Sequence, residues 1–181
     1  MWYIVGLGNP GEEYKATRHN AGRIALRAFE ASTDEKFLRA KKVVLITPET
    51  FMNKSGDAVR GIVKSKKAAE QLVVLHDDLD IPFGSYKISF NKSSGGHRGV
   101  ESVIKAVKTQ AFVRVRIGIC PVTHSGKLKK PHGEAVVEKL ILGKFTPAQL
   151  TVLKKLCKRI SEALTVLVLV GRDKAMSQYN G

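Results

Sequence analysis

His19 is the residue in this chain whose type best suits general-base chemistry. A neutral imidazole can take a proton from water and return it to a leaving alkoxide. Its other ring nitrogen then needs a partner, and Asp77 could supply one, fixing the tautomer and stabilising the imidazolium as it forms. A His ahead of a helix also fits a capping or plain surface role. Asp77-Asp78-Leu79-Asp80 also fits a solvated acidic turn or a carboxylate Mg²⁺ site, although no second carboxylate pair is evident elsewhere. No Gly-x-Ser-x-Gly elbow is present, so water is a better candidate nucleophile than a side chain. Asn9 and Asn53 carry amides, which donate and accept without titrating; they suit holding a peptide group or an oxyanion, or else turn formation and helix capping.

The segment Gly6-Leu7-Gly8-Asn9-Pro10-Gly11 matches the dinucleotide-binding pattern, yet two features argue against that use. Pro10 and Gly11 lead into Glu12-Glu13, two carboxylates where pyrophosphate would lie. The second strand ends in Thr47-Pro48, not in the acidic residue that would hold a ribose.

The elements that must position these groups can be read from periodicity. Residues 2–7 read as a short buried strand, 20–31 as a helix, and 42–47 as a second strand stopped by Pro48. Asn53 or Ser55 is expected to cap the next helix, with Val59, Ile62 and Val63 on its apolar side. Residues 71–75 form a third strand ending at His76-Asp77-Asp78, and 86–90 a fourth. The glycine-rich turn around His97-Arg98 opens a helix bearing Val100, Val103, Ile104 and Val107. Residues 112–119 alternate, with Arg114 and Arg116 opposite the apolar face. Residues 123–135 read as a polar, basic, mobile loop. Pro147 opens a last helix lined by Leu150, Leu153, Ile160, Leu164 and Leu167. Strands alternating with helices predict an α/β fold: a three-layer α/β/α sandwich on a mixed, partly parallel twisted sheet. Ligands of such sheets bind beyond the carboxyl ends of the strands, where the clusters at Asn9, His19, Met52-Asn53 and His76-Asp77 fall. One domain over residues 1–181 is expected, since no repeat or linker interrupts the chain.

Lys and Arg outnumber Asp and Glu by 31 to 16, a formal charge of +15 that concentrates polyanions. Nucleic acid is the favoured partner over an anionic membrane, though charge does not choose RNA or DNA. Arg114 and Arg116, with Lys87 on a neighbouring strand, could meet phosphates. Apolar residues make up 43% of the chain, enough to bury a core, and the apolar stretch 164–170 is too short to span a bilayer. The opening residues lack the basic segment and cleavage site of a signal peptide. Cys120 and Cys157 have no metal-type spacing, and a reduced, cytoplasmic protein is expected.

Six segments in one order closely resemble bacterial-type peptidyl-tRNA hydrolases. They are 6–11, Tyr14 with 17–22, 51–56, 76–80, Gly95-Gly96-His97, and 114–119, and together they span nearly the whole chain. The resemblance implies hydrolysis of the ester joining a peptide to the 3′ ribose of tRNA, by a monomer that needs no metal or cofactor. It implies His19 as the catalytic base, Asp77 orienting it, and Asn9 and Asn53 positioning the substrate beside Met52. It places Tyr14 near a peptide channel, the polypeptide across Asn9, Asn53 and His97, and the tRNA acceptor stem on Lys87 and Arg116. DNA is not an expected partner. The chain departs from the family pattern at Arg98, where an amide that could contact the peptide is usual, and at Ser89, where a second lysine is usual. The stretch before Lys42 is short, so an edge strand or hairpin is expected to be missing. The alternative is a catalytically silent RNA-binding protein of the same fold, which would need neither a base nor its orienting carboxylate.

Overall fold

A computed structural model describes residues 1–180; Gly181, the last residue of the expected domain, lies outside them. In chain order the elements are β1 (Trp2–Gly6), α1 (Ala21–Ser32), α2 (Glu35–Ala40), β2 (Val43–Ile46), α3 (Asp57–Arg60), α4 (Lys66–Ala69), β3 (Leu72–Pro82) and β4 (Tyr86–Phe90). They continue with α5 (Arg98–Val107), β5 (Val113–Cys120), α6 (Glu134–Leu142), α7 (Pro147–Val170) and α8 (Arg172–Tyr179). The sheet runs β2-β1-β3-β5-β4; its pairs are parallel except β4 with β5.

Helices cover both faces, so the central strands read as unbroken apolar runs. Leu72, Val73, Val74 and Leu75 are all fully buried, yet they divide between two cores. Val73 and Leu75 pack with α1 and α7 residues such as Phe29, Leu153 and Ile160. Leu72 and Val74 pack on the other face with Val59, Val63, Val100 and Val103. The three-layer mixed α/β architecture expected from the sequence is the one observed. Among the described residues no helix is long and apolar enough to cross a membrane.

β2 lies on one side of β1 and β3 on the other, with the connecting helices on opposite faces. The crevice between the carboxyl ends of β1 and β3 is therefore the switch point of the sheet, where open α/β sheets bind ligands. Gly22 lets α1 sit directly on it. A Cβ there would lie 2.2 Å from the Leu75 carbonyl oxygen and 2.8 Å from the Leu7 backbone, so a side chain would force the helix away.

Several local expectations need correction. β3 does not end at His76-Asp77-Asp78 but continues to Pro82, held by pairing with β5. Neither Asn53 nor Ser55 caps a helix: Met52–Lys54 is a 3₁₀ turn entered from Phe51, and α3 follows Gly56. Ile62 and Leu150 are exposed: Ile62 lies beyond the end of α3 at Arg60, and Leu150 on α7 stays outside the core that Leu153, Leu156 and Ile160 enter. Glu134 and Ala135 belong to α6, not to the loop, which ends at Gly133. Thr146 and Gln149 form a reciprocal capping box around Pro147, which explains the sharp start of α7. α8 returns the chain to β4, where the Asn180 amide accepts from the Ile88 N–H at 2.7 Å and donates to its carbonyl at 2.8 Å. This imitates a strand partner on an otherwise open edge.

Candidate active site

The site is assembled from five chain segments around the switch point. The first supplies Asn9, just past β1. Its backbone N–H donates to Asn20 Oδ1 (2.8 Å), and its carbonyl accepts from Asn20 Nδ2 (2.9 Å). Asn20 thus holds the Asn9 backbone from both sides. Asn9 Oδ1 accepts from the Met52 N–H at 2.8 Å. That bond decides which end of the amide is which, and it leaves Nδ2 as a donor.

His19 sits in the 3₁₀ turn Arg18–Asn20, immediately before α1, and is buried. Its Nδ1 lies 3.0 Å from both Oδ1 and Oδ2 of Asp77. A carboxylate accepts only, so Nδ1 carries the proton and Nε2 keeps its lone pair. Asp77 lies within β3, in register with Ile117 of β5, and is itself buried. It is therefore no solvated turn residue.

His97 is the third member. It caps α5, its Nδ1 accepting from the N–H groups of Gly99 (3.2 Å) and Val100 (3.3 Å). Nε2 must then carry the proton, and it donates to Asp77 Oδ1 at 2.8 Å. The sequence reading put His97 against the peptide; the structure shows its ring held between a helix end and the carboxylate. One ligand atom each from His19, Asp77 and His97 also lies within 4.8 Å of the others, close enough to hold a cation, though His19 Nδ1, His97 Nε2 and the carboxylate are engaged with one another.

The electrostatics follow from this packing. Burial pushes the His19 pKa down, but the adjacent Asp77 carboxylate outweighs it, and the net value stands above 6.5. Burial disfavours a charged Asp77, yet His19 and His97 together hold its carboxyl far below the ordinary range. His76 points its Nδ1 at the Asp77 carbonyl (2.7 Å), and burial beside His97 and Arg114 pushes its pKa well down, so it stays neutral.

A cleft of about 800 Å³ opens in front of His19 and Asn9. Tyr14 and Phe51, stacked edge to face at 6.4 Å, line it with Met52, Val137, Ile141 and Leu142. Asn53 lines it as an exposed side chain, while Met52 is buried and contributes its backbone N–H to Asn9. Arg98 reaches across the mouth to Glu134 at 2.5 Å, tying the start of α5 to the start of α6. Asp78 and Asp80, also on the cleft wall, pair with cations: Asp78 accepts from Arg116 Nε at 2.7 Å, and Asp80 from Lys130 Nζ at 2.5 Å.

The basic residues expected to meet phosphate lie on β4 and β5. Lys87 is exposed and stands directly across from Arg116 in the sheet register. Arg114, opposite Ser89, is only 3% exposed, so it is not free to meet phosphate as its place beside Arg116 suggests. Arg18 was missed as a contributor. Its guanidinium donates to the carbonyls of Leu140 and Lys144 and to Gln149 Oε1, fastening the junction of α6 and α7 beside His19. Its place next to His19 in the sequence was the available signal.

The fold and this site define a class: a three-layer α/β protein with a mixed sheet whose polar centre, a histidine held by a carboxylate with an amide donor on the same cleft, lies at the switch point of the sheet. The chain belongs to the peptidyl-tRNA hydrolase family, whose model matches residues 3–181. It is 37% identical to a peptidyl-tRNA hydrolase of Thermodesulfovibrio yellowstonii, over 99% of each chain. It is 39% identical to one of Aquifex aeolicus, over 98% of this chain and 95% of that one. The crystal structure of peptidyl-tRNA hydrolase from Acinetobacter baumannii superposes with a TM-score of 0.82 at 28% identity, covering all of this chain and 95% of the other.

Proposed function

We propose that the protein hydrolyses the ester between the peptide, or an N-blocked aminoacyl group, and the 3′ ribose of tRNA, releasing tRNA from stalled peptidyl-tRNA. The observation that carries the mechanism is the His19 Nδ1–Asp77 hydrogen bond, which leaves Nε2 with a lone pair on the cleft that Asn9 also lines. Water attacks the ester carbonyl carbon and gives its proton to His19 Nε2. The oxyanion that forms accepts from Asn9 Nδ2–H. Collapse breaks the bond to the ribose oxygen, which takes the proton back from His19. The products are a peptide carboxylate and a free tRNA 3′ hydroxyl.

The apolar cleft holds the peptide, with Tyr14, Met52, Asn53, His97 and Arg98 around it. Rejection of free aminoacyl-tRNA follows from amide contacts that an α-ammonium group cannot satisfy. The chain works as a monomer of one domain in the cytoplasm, with the acceptor stem against Lys87 and Arg116. The direct test is incubation with N-acetyl-aminoacyl-tRNA: N-acetyl amino acid and deacylated tRNA appear. No release would end the assignment.

Two further results are expected. Asn9→Ala removes the oxyanion donor and lowers kcat by about 10²–10³. Little change in kcat would take Asn9 out of the reaction. Arg116→Ala weakens tRNA binding and flattens the dependence of log affinity on log salt by about one unit. An unchanged slope would remove Arg116 from the tRNA surface.

A further inference from the structure

A second pocket, of about 270 Å³, lies beside the cleft and shares Asn9 with it. Its defining group is Arg23 on α1, whose side chain passes over Gly8; a Cβ there would come within 2.7 Å of Arg23 Cδ. Arg23 is only 6% exposed, yet its five N–H donors are poorly matched. Nη2 donates to the Pro48 carbonyl, the Glu49 carboxylate stays 3.9 Å away, and the buried Nε has no partner among the described residues. A nearly buried guanidinium short of acceptors is costly unless an anion completes it. Arg27, one helical turn further along α1, lines the same pocket and makes no ion pair among the described residues.

The pocket walls also carry Glu12 and Glu49, both exposed, and Lys15, which is paired with Glu12. The buried donor without a partner is therefore Arg23 Nε, and Arg27, exposed at the pocket wall, adds a second positive charge. The volume suits a phosphate or sugar-phosphate better than a larger ligand.

Resting on the ester hydrolysis proposed above, we propose that this pocket is an anion subsite in which Arg23 and Arg27 hold the phosphodiester joining the last two nucleotides of the acylated RNA. The ester lies at His19 and Asn9, and its acyl side fills the apolar cleft. The second pocket shares Asn9 with that cleft and lies on its other side, where the alcohol side of the ester can extend. A side-chain carboxylate of the peptide has the same chemistry and is the competing source.

The test uses uncleavable RNA hairpins ending in a free 3′ hydroxyl, with either a natural or an uncharged methylphosphonate last linkage. Binding is measured for wild type, Arg27→Gln and Arg23→Lys, with circular dichroism to confirm folding. Wild type is expected to prefer the natural linkage several-fold, and each variant to lose that preference. If the variants weaken both hairpins equally, or wild type shows no preference, the subsite is refuted. Substrates bearing N-acetyl-aspartyl or N-acetyl-leucyl groups separate the other source: an effect of Arg27→Gln that follows the acidic acyl group and not the linkage would overturn the proposal. Binding does not require turnover, so absent hydrolysis by wild type would count against the esterase reading alone.

Discussion

His19→Ala is expected to reduce turnover of N-acetyl-aminoacyl-tRNA by about 10²–10⁴ while tRNA affinity stays at the wild-type level. The reason is positional. Nε2 is the only nitrogen of the His19–Asp77–His97 cluster left with a free lone pair, since His19 Nδ1 and His97 Nε2 donate to Asp77 and His97 Nδ1 accepts from the α5 N-terminus. Removing it leaves the water without a base. Asp77 keeps its bond from His97, so the loss of one partner should destabilise the fold by about 1–3 kcal/mol without unfolding it. Lys87 and Arg116, on β4 and β5, make no contact with His19 and are untouched. Thermal unfolding and a tRNA-binding measurement beside the kinetics separate lost chemistry from lost structure. Wild-type activity in the variant would end the role assigned to His19.

Asp77→Asn is expected to produce the second large effect, and one with a distinct signature. Asp77 is a positioning residue: it sets the His19 tautomer and supports the imidazolium, and its loss should lower kcat by about 10²–10⁴. The pH profile tells this from a merely structural defect. A base must be neutral, so in wild type the rate rises as pH passes the His19 pKa, which stands above 6.5, and then levels. Without the carboxylate, burial and the Arg98 charge remain, and both lower the His19 pKa. The rising limb should therefore move to lower pH as the plateau falls. A lower plateau with an unmoved limb would show that Asp77 does not govern His19.

Stability follows the same linkage. The raised His19 pKa contributes stability that is complete below about pH 6.5 and is lost as pH rises through the folded value. The depressed Asp77 pKa contributes stability present above about pH 4 and lost as pH falls through its folded value.

Some of the reading from sequence met the structure closely, and the successes share a cause. α1, β4, β5 and the start of α7 were legible because apolar period, proline placement and strand alternation are local signals. α2, α6 and α8 were missed. α6 buries no residue fully and has too weak an amphipathic stripe to stand out after a basic loop. Arg114 was misjudged because alternation tells which side a residue faces, not what covers that side.

The sequence by itself determined the chemical inventory and the layered fold: a histidine, an aspartate and amides at strand and helix ends, on a chain rich in positive charge. These depend on residue type and short spacing. Only the tertiary structure decided that Asp77 meets His19, that His97 serves Asp77, and that Asn20 and Met52 orient Asn9. Those relations join residues 11 to 58 positions apart, and no local period records where distant backbones meet. They arise when two cores close on opposite faces of one sheet and press its strand ends together.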